Sequence, residues 1–207
     1  MNVLIIVDAQ NDFLPGGALA VPNGDRILPV INELLKRFEL IIFTKDWHPE
    51  NHKSFASQWE GKNVLDVVDL NGLPQVLWPD HCVQETLGAE ISEEIDFGLI
   101  KGNFYFFKKG MNAGVDSYSG FYENDKQYST GLTSFLKEKS AEKVFVVGLA
   151  LDYCVKFTAI DSANEGFKTY VIAEGTKAIT EDTTGIINEL YDNNVDYVKL
   201  EELENIL

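Results

Sequence analysis

The chain has 207 residues, enough for one domain spanning residues 1–207 with a large buried core. Its balance of 45% hydrophobic and 24% charged residues is that of an ordinary globular protein. A net charge of −16, from 17 Lys and Arg against 33 Asp and Glu, repels phosphate and so argues against nucleic acid and anionic membranes as partners.

The 2 cysteines, Cys82 and Cys154, are too few for a stapled secreted scaffold. The opening Met1-Asn2-Val3 runs straight into a strand with no basic region or cleavage site, so no signal peptide is expected. No apolar run approaches the ~18 residues needed to span a bilayer. A cytoplasmic protein with reduced thiols is the expectation.

Val3 to Val7 is continuously apolar, as in a strand covered on both faces, and Asp8 ends it. A Gly- and Pro-containing loop, Phe13 to Gly17, follows. A helix opens at Asp25-Arg26-Ile27, with Ile27, Val30, Ile31, Leu34, Leu35 and Phe38 at helical spacing. Leu40 to Thr44 is the second strand. Residues 45–103, punctuated by Pro49, Pro74 and Pro79, read as long functional loops, and Lys53 to Leu77 is a candidate contact for a homo-oligomer. Further strands are expected at Phe104–Phe107, Val144–Gly148, Thr169–Ile172 and Val195–Leu200. Helices are expected at Leu132–Lys139, Cys154–Glu165 and Thr183–Asn193. The alternation predicts a three-layer α/β/α fold around a mainly parallel six-stranded sheet. Ligands bind beyond the carboxyl ends of such strands, which draws attention to Asp8, Asp46, His48, Lys109 and Gly148 to Cys154.

All 3 histidines fall between residues 48 and 81. Asp46-Trp47-His48 follows the second strand, and His81 lies in Trp78-Pro79-Asp80-His81-Cys82. One carboxylate and two imidazoles suit a divalent metal, zinc first, with iron or manganese as alternatives. Surface or capping roles are the competing account of each histidine alone. Cys154 stands between a strand and a helix, where free N–H groups and the helix dipole favour a thiolate and can hold an oxyanion. A buried structural cysteine is equally consistent with that segment alone. Asp8 could serve as the base, its basicity raised by partial burial, and Lys109 could balance charge. The other candidate bases are His48, His52 and His81. Cys82 is the competing nucleophile, but no strand ends and no helix begins at it.

Six segments occur together in order: Val7-Asp8-Ala9-Gln10-Asn11-Asp12-Phe13, Asp46-Trp47-His48-Pro49, Trp78-Pro79-Asp80-His81-Cys82, Lys109-Gly110, Tyr118-Ser119-Gly120-Phe121 and Asp152-Tyr153-Cys154-Val155. In these the chain resembles the nicotinamidase (pyrazinamidase) branch of the isochorismatase-like hydrolases over nearly its whole length. The resemblance implies hydrolysis of nicotinamide to nicotinate and ammonia in NAD salvage, and of pyrazinamide as well. It implies Asp8, Lys109 and Cys154 as triad and Asp46, His48 and His81 as metal ligands. It further implies Phe13, Trp78, Tyr118 and Tyr153 around the pyridine ring. A cis peptide before Ala150 is implied, turning the Ala150 N–H towards that of Cys154 to form an oxyanion hole. His52 is expected to support the ligands rather than touch metal. Leu151 stands where relatives often carry Thr. Isochorismatases would not need Cys154, and carbamoyl-amide hydrolases would not need a metal for a ring nitrogen. A catalytically silent metal-binding module is the alternative outside enzymes.

Overall fold

The computed structural model describes residues 1–207. Eight strands are present: β1 (Asn2–Val7), β2 (Leu40–Asp46), β3 (Val67–Leu70), β4 (Leu73–Val76), β5 (Asn103–Lys109), β6 (Lys143–Leu149), β7 (Lys168–Lys177) and β8 (Val195–Val198). Six of them form one sheet in the order β5-β2-β1-β6-β7-β8, with every pairing parallel. The helices are α1 (Leu28–Leu34), α2 (Leu132–Glu138), α3 (Lys156–Asn164), α4 (Thr184–Asp192) and α5 (Leu203–Ile206).

Side chains alternate across the pleat, so each central strand feeds two cores. Leu4, Ile6, Ile41, Phe43, Phe145 and Val147 pack with α1 and α5 on one face. Val3, Ile5, Val7, Ile42, Val144 and Val146 pack with α2, α3 and α4 on the other. The predicted three-layer α/β/α arrangement with a six-stranded sheet is therefore present. The first helix begins later than its apolar spacing suggests. Gly24–Ile27 form a 3-10 turn and the α-helix proper starts at Leu28, with Pro29 in its first turn.

Three other differences have physical causes. Within residues 45–103, read as loops, β3 and β4 make an antiparallel hairpin. Asn71 and Gly72 form its two-residue turn, with φ of +56° and +89°, as such a turn demands. The segment before α3 is a π turn, Leu151–Val155, so the regular helix starts after Cys154 rather than at it. Finally, β5 is as apolar as the central strands yet lies at the sheet edge, leaving Phe104, Tyr105 and Phe106 40%, 37% and 47% exposed. No helix is long and apolar enough to cross a membrane.

Candidate active site

The carboxyl ends of β1, β2, β5 and β6 converge, and each delivers one reactive side chain. Asp8 follows β1 with φ of +48°, Asp46 ends β2, Lys109 ends β5 and Cys154 sits in the π turn after β6. The turn is fixed by the Ala150 carbonyl, which accepts the N–H groups of Tyr153 and Val155 on either side of Cys154. The Leu149–Ala150 peptide is cis, as the resemblance implies. Gly148, at φ +119°, lets β6 approach β1 closely, because a Cβ there would lie 1.9 Å from the Val7 carbonyl oxygen.

Lys109 is the hub. Its buried ammonium donates to Asp46 Oδ1 at 2.5 Å, to the Ser117 carbonyl at 2.9 Å and to Cys154 Sγ at 3.4 Å. Those three bonds use its three protons. Asp8 Oδ2 lies 2.9 Å from the same nitrogen but receives no well-directed hydrogen bond. The other Asp8 oxygen accepts the Thr44 hydroxyl at 2.6 Å. Asp8, Asp46 and Cys154 present their polar atoms within 4.8 Å of one another.

Burial pushes the Asp8 carboxyl up to about 6 against the opposing charge of Lys109. Asp46 behaves oppositely. Burial acts to raise it, but Lys109 and then His48 outweigh that and hold it well below the usual carboxylate range. Burial also acts against the charge of Lys109, and Asp46, Asp8 and Cys154 more than compensate, holding it protonated. Cys154 departs from the expectation of a helix-end thiolate. Burial, with Asp8 and Asp46 adding to it, outweighs Lys109 and keeps the resting sulfur a thiol.

Beside this group stand the imidazoles. His48 Nδ1 is 2.8 Å from the Gly110 carbonyl and His81 Nδ1 is 2.8 Å from the Pro79 carbonyl. A carbonyl only accepts, so both Nδ1 atoms carry a proton and both rings turn Nε2 toward Asp46. Burial acts to lower His48, but Asp46 outweighs that and raises it. Those Nε2 atoms lie 3.6 Å and 3.8 Å from Asp46 Oδ2. Two oriented imidazoles and a carboxylate, all buried, fit a divalent cation with a preference for N and O donors. Gly110, at φ +65°, is required for this, because a Cβ there would fall 2.3 Å from the His48 ring. Burial and the neighbouring His48 lower His81 and His52 to about 4, so both are neutral near pH 7. His52 has the other tautomer. Its Nδ1 accepts the Ser54 N–H, leaving the proton on Nε2, which is buried without a partner. It groups with His48 and Asp116 rather than with Asp46 and His81.

A partly open pocket lies above these groups. Phe13, Trp78, Tyr118 and Tyr153, the four aromatics read from the sequence, all line it, together with Ala150 and Cys154. Trp78 and Tyr153 meet edge to face with centroids 4.8 Å apart, and Phe13 meets the His81 ring at 5.5 Å. No Lys or Arg lines the cavity. Cys82 is fully buried away from it, with burial and nearby carboxylates pushing its thiol well up.

Four further positions shape the site without having stood out in the sequence. Gln10 clasps the metal-ligand candidate Asp46 by its backbone, donating to its carbonyl and accepting its N–H, both at 2.8 Å. Thr44 holds Asp8. Asp116 lines the cavity, and Gln75 of β4 donates to it at 2.9 Å and to the Tyr118 hydroxyl at 3.3 Å. Gln10 lay inside a recognised segment but nothing in its type announced the clasp. The other three lay in stretches without a motif or outside any assigned role.

The isochorismatase domain model matches residues 2–198. The chain belongs to the isochorismatase family. Within the family it is 48% identical to the nicotinamidase of Acinetobacter baylyi over 176 residues, 85% of this chain and 81% of that protein. The solved nicotinamidase/pyrazinamidase of Acinetobacter baumanii superposes with a TM-score of 0.90 at 41% identity, covering 98% of this chain and 97% of the other. The pyrazinamidase of Pyrococcus horikoshii, solved in complex with zinc, gives 0.79 at 34% identity, covering 96% and 99%.

Proposed function

We propose that the chain is a nicotinamidase, converting nicotinamide and water to nicotinate and ammonia through a thioester on Cys154, and that it also accepts pyrazinamide. The observation that carries this is the Lys109 ammonium, which binds Cys154 and Asp46 and lies against Asp8, so that an amidase triad and a metal-type cluster share one floor. An aromatic cavity whose one nearby ammonium, Lys109, is already taken up by Asp46, the Ser117 carbonyl and Cys154 fits a flat neutral amide. It disfavours carbamoyl amides that carry a carboxylate, which would need a basic partner.

In this mechanism Asp8, through the oxygen that Lys109 leaves without a directed bond, takes the Cys154 proton as Sγ attacks the amide carbon. The Ala150 and Cys154 N–H groups hold the oxyanion. Collapse breaks the C–N bond, and Asp8 returns the proton to the departing ammonia. Water, deprotonated by Asp8, then attacks the thioester. The acid leaves, and the proton goes back to sulfur. Lys109 stays protonated throughout and offsets the charge passing between Asp8 and Cys154. A divalent ion held by Asp46, His48 and His81 would supply a Lewis-acid contact for the pyridine nitrogen. Zinc is the first choice because the Pyrococcus relative was solved with it, and iron or manganese suit the same donors. His52 supports the ligand cluster from behind His48. A thiol nucleophile requires a reducing compartment, in keeping with a cytoplasmic location.

The test is ammonia release from nicotinamide, from pyrazinamide and from a carboxylate-bearing carbamoyl amide, by metal-loaded and chelator-stripped protein. Release from the first two, lost on stripping and restored by zinc, is expected. Preference for the carbamoyl amide, or turnover untouched by stripping, would overturn the assignment.

A further inference from the structure

The two edges of the sheet are not alike. β8 is four residues long, and Asp196 within it is paired with Lys168, so a short, charged strand ends that side. β5 has seven residues, no proline and no bulge, and it pairs with β2 in unbroken register from Leu40 with Asn103 to Asp46 with Lys109. Its other edge has no strand partner. Phe104 and Phe106 expose aromatic surface beside Phe97 on one face, and Tyr105 rests against Phe135 on the other. Of the usual protections of a free edge, β5 has only lysines at its carboxyl end, Lys108 and the buried Lys109.

Charge identifies what can cover it. The chain has 33 acidic residues, yet none occurs from Phe97 to Val115, a run that contains Lys101, Lys108 and Lys109. Lys109 is buried, and Lys108 Nζ is drawn over the Trp47 ring at 3.9 Å. Over the rest of its surface a protein of net charge −16 repels a copy of itself. At β5 that repulsion is relieved, and a backbone edge is self-complementary about a two-fold axis.

We propose that β5 pairs antiparallel with β5 of a second copy, joining the two six-stranded sheets into one. Centred on Phe106, which faces its own copy, this pairing sets Lys108 opposite Phe104 of the other copy rather than against its own like. Main-chain bonds supply the register, and the aromatic side chains on both faces supply the buried apolar area. Because β5 also ends at Lys109, the pairing lies along the strand that delivers the hub of the site.

Sedimentation equilibrium combined with amide hydrogen exchange tests this. The wild type is expected to reach twice its 23.2 kDa chain mass at roughly 100 µM, a concentration at which standard-sized interfaces are formed. The outward amides of β5 should exchange more slowly there than after dilution to monomer. Tyr105→Lys with Phe106→Lys should weaken the dimer about 100-fold or more, since two charged side chains would enter the buried strip. Far-UV circular dichroism of that variant checks folding. The wild-type exchange experiment stands without it. A wild type that remains at chain mass would overturn the proposal. So would a dimer whose β5 amides exchange at the monomer rate, or one unaffected by the double substitution. None of these outcomes depends on amide hydrolysis.

Discussion

The floor and the wall of the cavity are built differently. Asp8, Asp46, Lys109 and Cys154 each follow or end a strand of one parallel sheet, so the backbone ladder sets their spacing before any side chain acts. Gln75, Trp78, Asp116 and Tyr118 come from connections outside that sheet and are held by side-chain bonds to one another. A floor made of strand ends is rigid and can keep opposed charges buried. A wall made of linked side chains can shape a ring-binding slot, and it can be altered without unfolding the sheet. Substitutions in the floor should therefore damage turnover, and where they break the buried charges they should damage stability as well. Substitutions in the wall should mainly damage substrate binding.

Cys154→Ala has the largest expected effect, a loss of at least ~10⁴-fold in turnover with little change in the melting temperature. Stopped assays with nicotinamide at saturating concentration measure it, and turnover within tenfold of wild type would remove sulfur from the mechanism. Lys109→Met comes next and separates floor from wall most sharply. It strips Asp8 and Asp46 of their common counter-charge while both remain buried, which costs about 3–5 kcal/mol of folding stability in addition to activity. Urea unfolding reads this directly. A variant as stable as wild type would mean that the two carboxylates do not depend on the ammonium.

Acid should reveal the same floor without a mutation. Asp8 must be ionised to take the thiol proton, and its carboxyl is raised from 3.8 to about 6. Activity, followed as kcat/KM, should therefore fall about tenfold per pH unit below about 6. The stability contribution of the same group has the opposite sign. A carboxyl raised in the folded state favours folding when protonated, and that contribution is lost as pH rises through about 6. The enzyme thus works where Asp8 contributes least to its fold. A pH profile flat between 5 and 7, with about tenfold as the smallest meaningful change, would show that Asp8 is not the base.

The sequence disclosed the floor far better than the wall, for a physical reason. A buried parallel strand is a continuous apolar run, and the first polar residue after it is visible at once, as at Asp8 and Asp46. Gln75 stands in a four-residue strand whose alternation is weak and which contains Pro74, so loop was the natural assignment. The Asn71-Gly72 turn was the clue that a hairpin lay there. The π turn could not be read, because it depends on the Val155 N–H reaching the Ala150 carbonyl across the chain. Nor does periodicity tell an edge from a centre. Phe104-Tyr105-Phe106-Phe107 is as apolar as Leu4-Ile5-Ile6-Val7, and only strand order shows that the former faces solvent. Dipole and N–H arguments for the Cys154 sulfur are local, whereas the burial and the two neighbouring carboxylates that keep it a thiol are tertiary.

The smallest effect discriminates most finely. Gln75→Leu keeps the side-chain volume but removes the donor shared by Asp116, the Val76 carbonyl and Tyr118. Buried acceptors left without that donor cost ~1–3 kcal/mol, and the hairpin can relax to recover part of it. Tyr118 would keep its Trp78 contact at 3.4 Å but lose the bond that fixes its hydroxyl from the β4 side. If the wall only shapes the slot, KM for nicotinamide should rise by about tenfold while kcat stays within about twofold, because no group on the floor has moved. Gln75→Glu should be worse in the same parameter, since it sets a carboxylate against Asp116. Should kcat fall as far as KM rises, Asp116 must be acting on the reacting atoms through the imidazole cluster that it adjoins, and floor and wall would be one unit rather than two.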